Sequence, residues 1–204
     1  NPEFTSPRGG ILGNTNNKIL QRPFPSHVSY SWGDTQRVNR WRRLMQSREV
    51  HTRDSFMEAQ LDTVSYTARS LLPLIGADLW FTGSAAEDGS REKQRQTALT
   101  LLSEWNGEMN EHLPEPLLYA AWLRALQSRL IADDLGPLAS EFSQVDPLFI
   151  ERVYRNVEGA GSWCDVRQSA PLETCTDMAC AGGMPIRPPR IMKPWETFLS
   201  CGSL

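Results

Sequence analysis

The chain has 204 residues, 40% of them hydrophobic and 22% charged, enough for one domain with a real core or two small ones and unlike a disordered chain. A net charge of −3 and a pI of about 5.7 leave no basic footprint for nucleic acid. No apolar run approaches the ~20 residues that a bilayer-spanning helix needs; the longest, Leu71-Leu72-Pro73-Leu74-Ile75, is short and broken by proline.

Residues 1–30 are poor in helix formers and rich in Pro, Gly, Asn and Ser. Asn1-Pro2-Glu3-Phe4 has neither the basic start nor the apolar stretch of a secretion signal, and no methionine opens it. The chain is therefore expected to have been cut from something longer. Gly10-Ile11-Leu12-Gly13 reads as a short strand, followed by the polar turn Asn14-Thr15-Asn16-Asn17. Pro23 and Pro25 keep the next residues extended to about residue 28.

The period then becomes helical. From Asp34 to Gln46, Val38, Trp41, Leu44 and Met45 share a face. Thr52 is a good N-cap for a second helix whose buried side is expected to carry Phe56, Leu61, Val64, Ala68, Leu71 and Leu72, with Pro73 and Gly76 ending it. A third helix is predicted over 91–105, with Ala98, Leu101, Leu102 and Trp105 in register, stopped by Asn106-Gly107. A fourth starts near Glu115, carries Leu118, Ala121, Trp122, Ala125, Leu126 and Leu130, and closes at Gly136-Pro137. A fifth runs from Pro147 to Val157. Residues 176–204, with Pro185, Pro188, Pro189 and Pro194, show neither period and read as irregular.

Motifs for common chemistries are absent: no Gly-x-Ser-x-Gly elbow, His-Glu-x-x-His, phosphate-binding loop or dinucleotide fingerprint. Cys164, Cys175, Cys180 and Cys201 are too few for a disulfide scaffold. Their spacing is not that of a zinc site, since His27, His51 and His112 lie far upstream.

One ordered series does stand out. It comprises Gly10-Ile11-Leu12-Gly13-Asn14-Thr15-Asn16-Asn17, then Pro23-Phe24-Pro25, then Trp32-Gly33-x-x-x-Arg37. Further on come a helix from Thr52 with Phe56 and Gln60-x-Asp62, then Leu102-x-x-Trp105-Asn106-Gly107-x-Met109 and Tyr119-x-x-Trp122-x-x-x-Leu126. Trp163-Cys164-Asp165 and Glu173-Thr174-Cys175 complete it. This series resembles the β-subunit of penicillin amidases, the group that includes penicillin and cephalosporin acylases and acyl-homoserine-lactone acylases. The pattern is lost after about residue 178, where Cys180-Ala181-Gly182-Gly183 opens a stretch unlike the family.

The resemblance implies an α+β N-terminal nucleophile hydrolase, of which this chain would be a mainly α piece with one or two short N-terminal strands. It divides into a strand and turn segment over 1–30, a helical segment over 31–160 and an irregular cysteine-containing tail over 161–204. In such enzymes a serine that begins the β-subunit attacks an amide carbonyl, with its own α-amino group as base. An asparagine side-chain amide and a backbone N–H hold the oxyanion. By motif position the asparagine is Asn16. Arg37 matches an arginine that holds it, while Asn14 and Asn17 shape the turn. The nucleophile is expected on a part of the parent outside this chain, so the chain alone is expected to be inactive. Its expected partners are the α-subunit, the N-terminal part of the β-subunit and a small-molecule amide, with no nucleic acid and no membrane. Export to the periplasm or secretion follows from the same resemblance. No cofactor is required; a structural calcium belongs to many such parents, although no acidic cluster here is assignable to it.

Plainer readings stand beside these. An Asn-rich turn is ordinarily just a turn, and Arg37 shares a solvated arginine cluster with Arg40, Arg42, Arg43 and Arg48. Trp32, Trp41, Trp105 and Trp122 read as core aromatics, and Gln60 and Asp62 as structural hydrogen-bonders. The exported family makes a Cys164–Cys175 loop disulfide the expectation, against two buried thiols. The alternative functions are a non-catalytic helical interaction domain and a degenerate amidase homologue. A piece of an amidase is further expected to expose apolar helix faces around Phe56 and Trp122.

Overall fold

The computed structural model describes residues 3, 5, 10–79, 85–142, 145–165 and 175; residues 176–204, and with them the expected irregular tail, lie outside the described residues. The described part is mainly helical and falls into two units, Asn1–Tyr66 and Thr67–Leu204.

In the first unit an extended segment leads into helix α1 (Gln36–Gln46), two residues after the expected start at Asp34. The spacing of Val38, Trp41 and Met45 puts one stripe inward: Val38 and Met45 are buried and Trp41 partly so. Thr52 caps α2 (Arg53–Gln60) as expected. The Ser55 N–H donates to Thr52 Oγ1 (3.2 Å) and the Thr52 N–H donates to Ser55 Oγ (2.9 Å), a reciprocal box that satisfies two orphan donors. His51 Nε2 lies 2.8 Å from the Met45 carbonyl, tying the α1–α2 connection.

The single helix expected from Thr52 to Pro73 is two helices. α2 stops at Gln60, and α3 (Tyr66–Leu79) starts after a break at 61–65. Thr63, Val64 and Ser65 disfavour helix through branched rotamers and competing hydroxyls. Asp62 meanwhile takes a fork of hydrogen bonds from Arg40 of α1, with Nε donating to Oδ2 at 2.8 Å and Nη2 to Oδ1. The break turns Phe56 and Leu61 to solvent, 55% and 76% exposed, so neither lies on the expected buried side.

The second unit holds the apolar core. In α3 Pro73 sits inside the helix rather than ending it, and Gly76 is passed through. An interior proline costs about 3 kcal/mol, offset here by burial of Leu71, Leu72 and Ile75 around it. α4 (Arg91–Glu104) is capped by Ser90, whose hydroxyl accepts the Lys93 N–H at 3.1 Å, and buries Ala98, Leu99 and Leu102. α5 (Glu115–Leu135) packs on α4 and contributes Leu118, Tyr119, Trp122 and Leu126 to the shared core. It ends at Gly136, in the left-handed region (φ +52°), and Pro137 forbids its continuation into anything but the 3-10 run Gly136–Glu141. α6 (Pro147–Tyr154) is capped by Asp146 and stops three residues before the expected Val157. Asn156 turns left-handed there (φ +49°), and its Oδ1 accepts the Gly161 N–H at 2.9 Å within the 3-10 run Val157–Cys164.

Trp105, Tyr119 and Trp122 follow one another at centroid distances of 5.4 and 5.9 Å, and Phe149 meets Trp163 edge-on at 5.1 Å. Trp122 is only 3% exposed, which corrects the expected open apolar face around it. Cys164, fully buried, is bonded to Cys175. No strand occurs among the described residues; only isolated bridge residues stand there, Asn17 paired in parallel with Gly33 among them. The strand expected at Gly10–Gly13 fails for want of a partner: Ile11 and Leu12 face solvent, and an unpaired strand has no ladder to hold it. No described helix is long and apolar enough to cross a membrane.

Candidate functional site

The turn at 14–17 is built by asparagine side chains bonding their own backbone. Asn14 Oδ1 accepts the Asn16 N–H at 2.7 Å. Asn17 Oδ1 accepts the Thr15 N–H at 3.1 Å. The first is a side-chain mimic of a backbone turn, and the second ties the turn from its far end. Between them Asn16 sits in the left-handed region (φ +66°), a conformation that asparagine tolerates better than most residues. The Asn16 carbonyl accepts the Gly33 N–H at 3.0 Å, and a Cβ on Gly33 would lie 2.9 Å from that oxygen. Only glycine lets the two backbones approach this closely.

Gly33 stands three residues ahead of α1, so the bridge delivers the helix start to the turn. Arg37, in the first turn of α1, donates from Nη1 to Asn16 Oδ1 at 3.3 Å. The structure thus brings together the two residues that the sequence singled out, twenty-one positions apart. Both are exposed to solvent. A guanidinium has donors only, so the amide oxygen of Asn16 must face it. The Asn16 NH₂ group is left with its donors free among the described residues.

The neighbouring arginines differ in role. Arg40 is forked onto Asp62, whose hydrogen bond raises its pKa further while partial burial opposes the shift. Arg43 lies over the Tyr66 ring at 5.1 Å, and Arg48 pairs with Glu58 on the surface. Asp62 is therefore a hydrogen-bonder in the structure, while no hydrogen bond of Gln60 is described. The part played by Gly33 is not assigned by the sequence, although the Trp32-Gly33 pair carries its signal.

Among the described residues no group of three His, Cys, Asp or Glu side chains is placed to hold a metal, so ligands for a structural calcium are not found there. A cavity of about 290 Å³ in the second unit is lined by Arg124, Gln127, Ile131 and Phe142 among others. None of the sequence-predicted site residues lines it, and it contains no paired nucleophile and base.

A model of the family described as penicillin amidase matches residues 1–182 of the chain. The acyl-homoserine lactone acylase QuiP of Pseudomonas aeruginosa is 25% identical over 141 residues, 67% of this chain and 16% of that protein. The protein of the same name from Pseudomonas putida is 28% identical over 141 residues, again 67% of this chain and 17% of its own length. The chain thus spans about a sixth of the curated relatives it matches. No solved structure matches it.

Proposed function

The chain belongs to the penicillin amidase family, and from that premise we propose that it is the stretch of an acyl-amide hydrolase that supplies the oxyanion-holding amide, with Asn16 as the donor. The observation that carries this reading is the Arg37–Asn16 bond. It fixes the amide oxygen on a cation and presents the NH₂ group outward, and the adjacent charge strengthens that group as a donor. A preorganised donor aimed at developing negative charge is the main electrostatic device of acyl transfer.

In the proposed reaction a serine hydroxyl from outside this chain attacks the substrate's acyl carbon, and its proton passes to the serine's own α-amine. The carbonyl electron pair moves onto oxygen, where Asn16 Nδ2–H and a backbone N–H stabilise it. Collapse of the tetrahedral species breaks the C–N bond, and the amine leaves with the proton. Water then repeats the sequence on the acyl-enzyme and releases the carboxylic acid. Acyl-homoserine lactones are the first substrates to try, because both relatives carry that name; acylated β-lactam nuclei are the second. The α-subunit and the rest of the β-subunit are the proposed partners, and the periplasm or the exterior the proposed location. The apolar side chains that the first unit turns to solvent, such as Leu12, Phe24 and Tyr30, are then surface for the rest of the parent.

The test is Asn16→Ala in the complete parent protein. Turnover should fall by about 10²–10³ with the melting temperature held. Asn16→Asp should be as poor, since a carboxylate keeps Arg37 but has no N–H. Undiminished turnover in either variant would sink the assignment. The isolated 204-residue chain should hydrolyse none of these amides.

A further inference from the structure

The geometry points to Trp41 and Gly13 as a positioning pair that sets where Asn16 stands relative to Arg37; this rests on the function proposed above. Asn14 and Gly33 fix the shape of the turn and its hydrogen bond to the chain entering α1. Besides the Arg37 hydrogen bond, an apolar contact joins this segment to α1. Trp41 lies one turn after Arg37 on α1, four residues on, so the two are neighbours on the helix surface. The benzo edge of its indole rests against Gly13, three residues before Asn16. A Cβ built on Gly13 would lie 2.2 Å from Trp41 Cζ2, 2.5 Å from Cη2 and 2.7 Å from Cε2. Real Cβ atoms do not approach so closely, so any side chain at 13 forces the turn or the indole to move.

Which of the two moves follows from packing. Trp41 is partly buried, on a helix whose Val38 and Met45 are buried. Gly13, Asn14 and Asn16 are exposed, and the turn holds its form chiefly by local bonds. The turn therefore yields, and the Asn16 amide shifts away from Arg37 while keeping its own conformation. A displacement of about 1 Å at a catalytic donor costs up to ~10² in rate. Trp41 and Gly13 touch no reacting atom; they act through Asn16, and their loss should appear in kcat with KM little changed.

The experiment compares Gly13→Ala, Trp41→Phe, the two together, and Asn16→Ala, all in the complete parent, with kcat, KM and melting temperature measured for each. Phenylalanine keeps an aromatic group on α1 but withdraws the benzo edge from Gly13. Gly13→Ala should lower kcat by roughly 10–100-fold, and Trp41→Phe by several-fold, both with KM close to that of the parent. In the double variant the phenyl leaves room for the new methyl, so kcat should return to the level of Trp41→Phe alone. A general packing defect would not show this rescue. If Asn16→Ala is crippled while Trp41→Phe keeps full kcat, or if Gly13→Ala costs as much beside Trp41→Phe as beside tryptophan, the pairing is wrong. If Gly13→Ala fails to fold, the fold-conserving Trp41→Phe decides by itself. If Asn16→Ala is fully active, the function proposed above falls first and the pair loses its role with it.

Discussion

Among the described residues, Val38 and Met45 are the buried apolar side chains of residues 1–66, whereas residues 67–204 close around Leu71, Ile75, Leu130, Ile150 and Val153, each essentially without solvent contact. The first unit keeps its form by other means. They are the Asn14 and Asn17 turn bonds, the Gly33 bridge, the Thr52–Ser55 box and the Arg40–Asp62 fork. Its apolar groups are largely turned outward, with Phe24 and Tyr30 among the most exposed. The difference teaches where precision comes from: the candidate donor is held by directional bonds and glycine contacts, which fix angles, while the helical unit is held by burial, which fixes volume.

The sharpest way to break that contrast is to remove core volume from each unit. Leu130→Ala should cost about 2–5 kcal/mol, because a fully buried leucine leaves a cavity on top of its transfer energy. Val38→Ala deletes less from a thinner interior and should cost about 1–2 kcal/mol. Urea unfolding of the two variants with the slope compared gives both numbers. Equal losses would mean that the first unit depends on burial as much as the second.

The second unit also carries a covalent tie. Cys164 and Cys175 close a loop of eleven residues, for which the chain-entropy account gives about 3 kcal/mol. Cys164→Ser with Cys175→Ser should lower stability by about that much and leave the Asn16–Arg37 turn unaffected, since the turn is built wholly within residues 1–66. Unfolding with and without reductant should reproduce the loss in the unmutated protein and not in the double variant. No change on reduction would mean that the bridge does not form in solution.

Much of this was legible because several elements obey one rule at a time. α4 and α5 show unbroken helical period between clear stops, and Gly136-Pro137 ends α5 where the sequence says it should. The structure departs from the sequence pattern where two rules conflict. Around 61–65 the apolar period continues, but branched residues and the pull of Arg40 on Asp62 break the helix. At Pro73 the reverse happens, and burial of Leu71, Leu72 and Ile75 overrides a proline. No strand forms at 10–13 because strands are made by partners, which periodicity does not reveal. Asn16 and Arg37 could be picked only from a resemblance, since nothing in an Asn-rich turn says which helix will reach it. Gly13 and Trp41, twenty-eight positions apart, carry no local signal at all.

A smaller test of the polar means used by the first unit is the Thr52 cap. Thr52→Ala removes the acceptor for the Ser55 N–H and should cost about 1 kcal/mol. Thr52→Ser keeps the hydroxyl and should recover most of it. Thermal unfolding of the pair reads the difference directly. A loss from alanine no greater than that from serine would mean that the box contributes nothing beyond local geometry.

The smallest effect at neutral pH is expected at Tyr119, in the aromatic row of the second unit. It is 3% exposed, its hydroxyl is buried without a hydrogen-bond partner among the described residues, and burial pushes the phenol well above its ordinary 10.0. Tyr119→Phe should therefore be neutral or slightly stabilising at pH 7, because the variant no longer buries an unpaired polar group. The pH dependence is where it differs. A group whose folded pKa is raised lends its full stability below the unfolded value and loses it as pH climbs past that value toward the folded one. Above pH 10 the parent should lose up to about 1.4 kcal/mol per pH unit through this residue alone. Tyr119→Phe should lack that part of the alkaline limb. Paired denaturation curves at pH 7 and above pH 10 isolate it: parallel decline would mean that the Tyr119 hydroxyl reaches water in solution, and that the core of the second unit is looser than its aromatic row suggests.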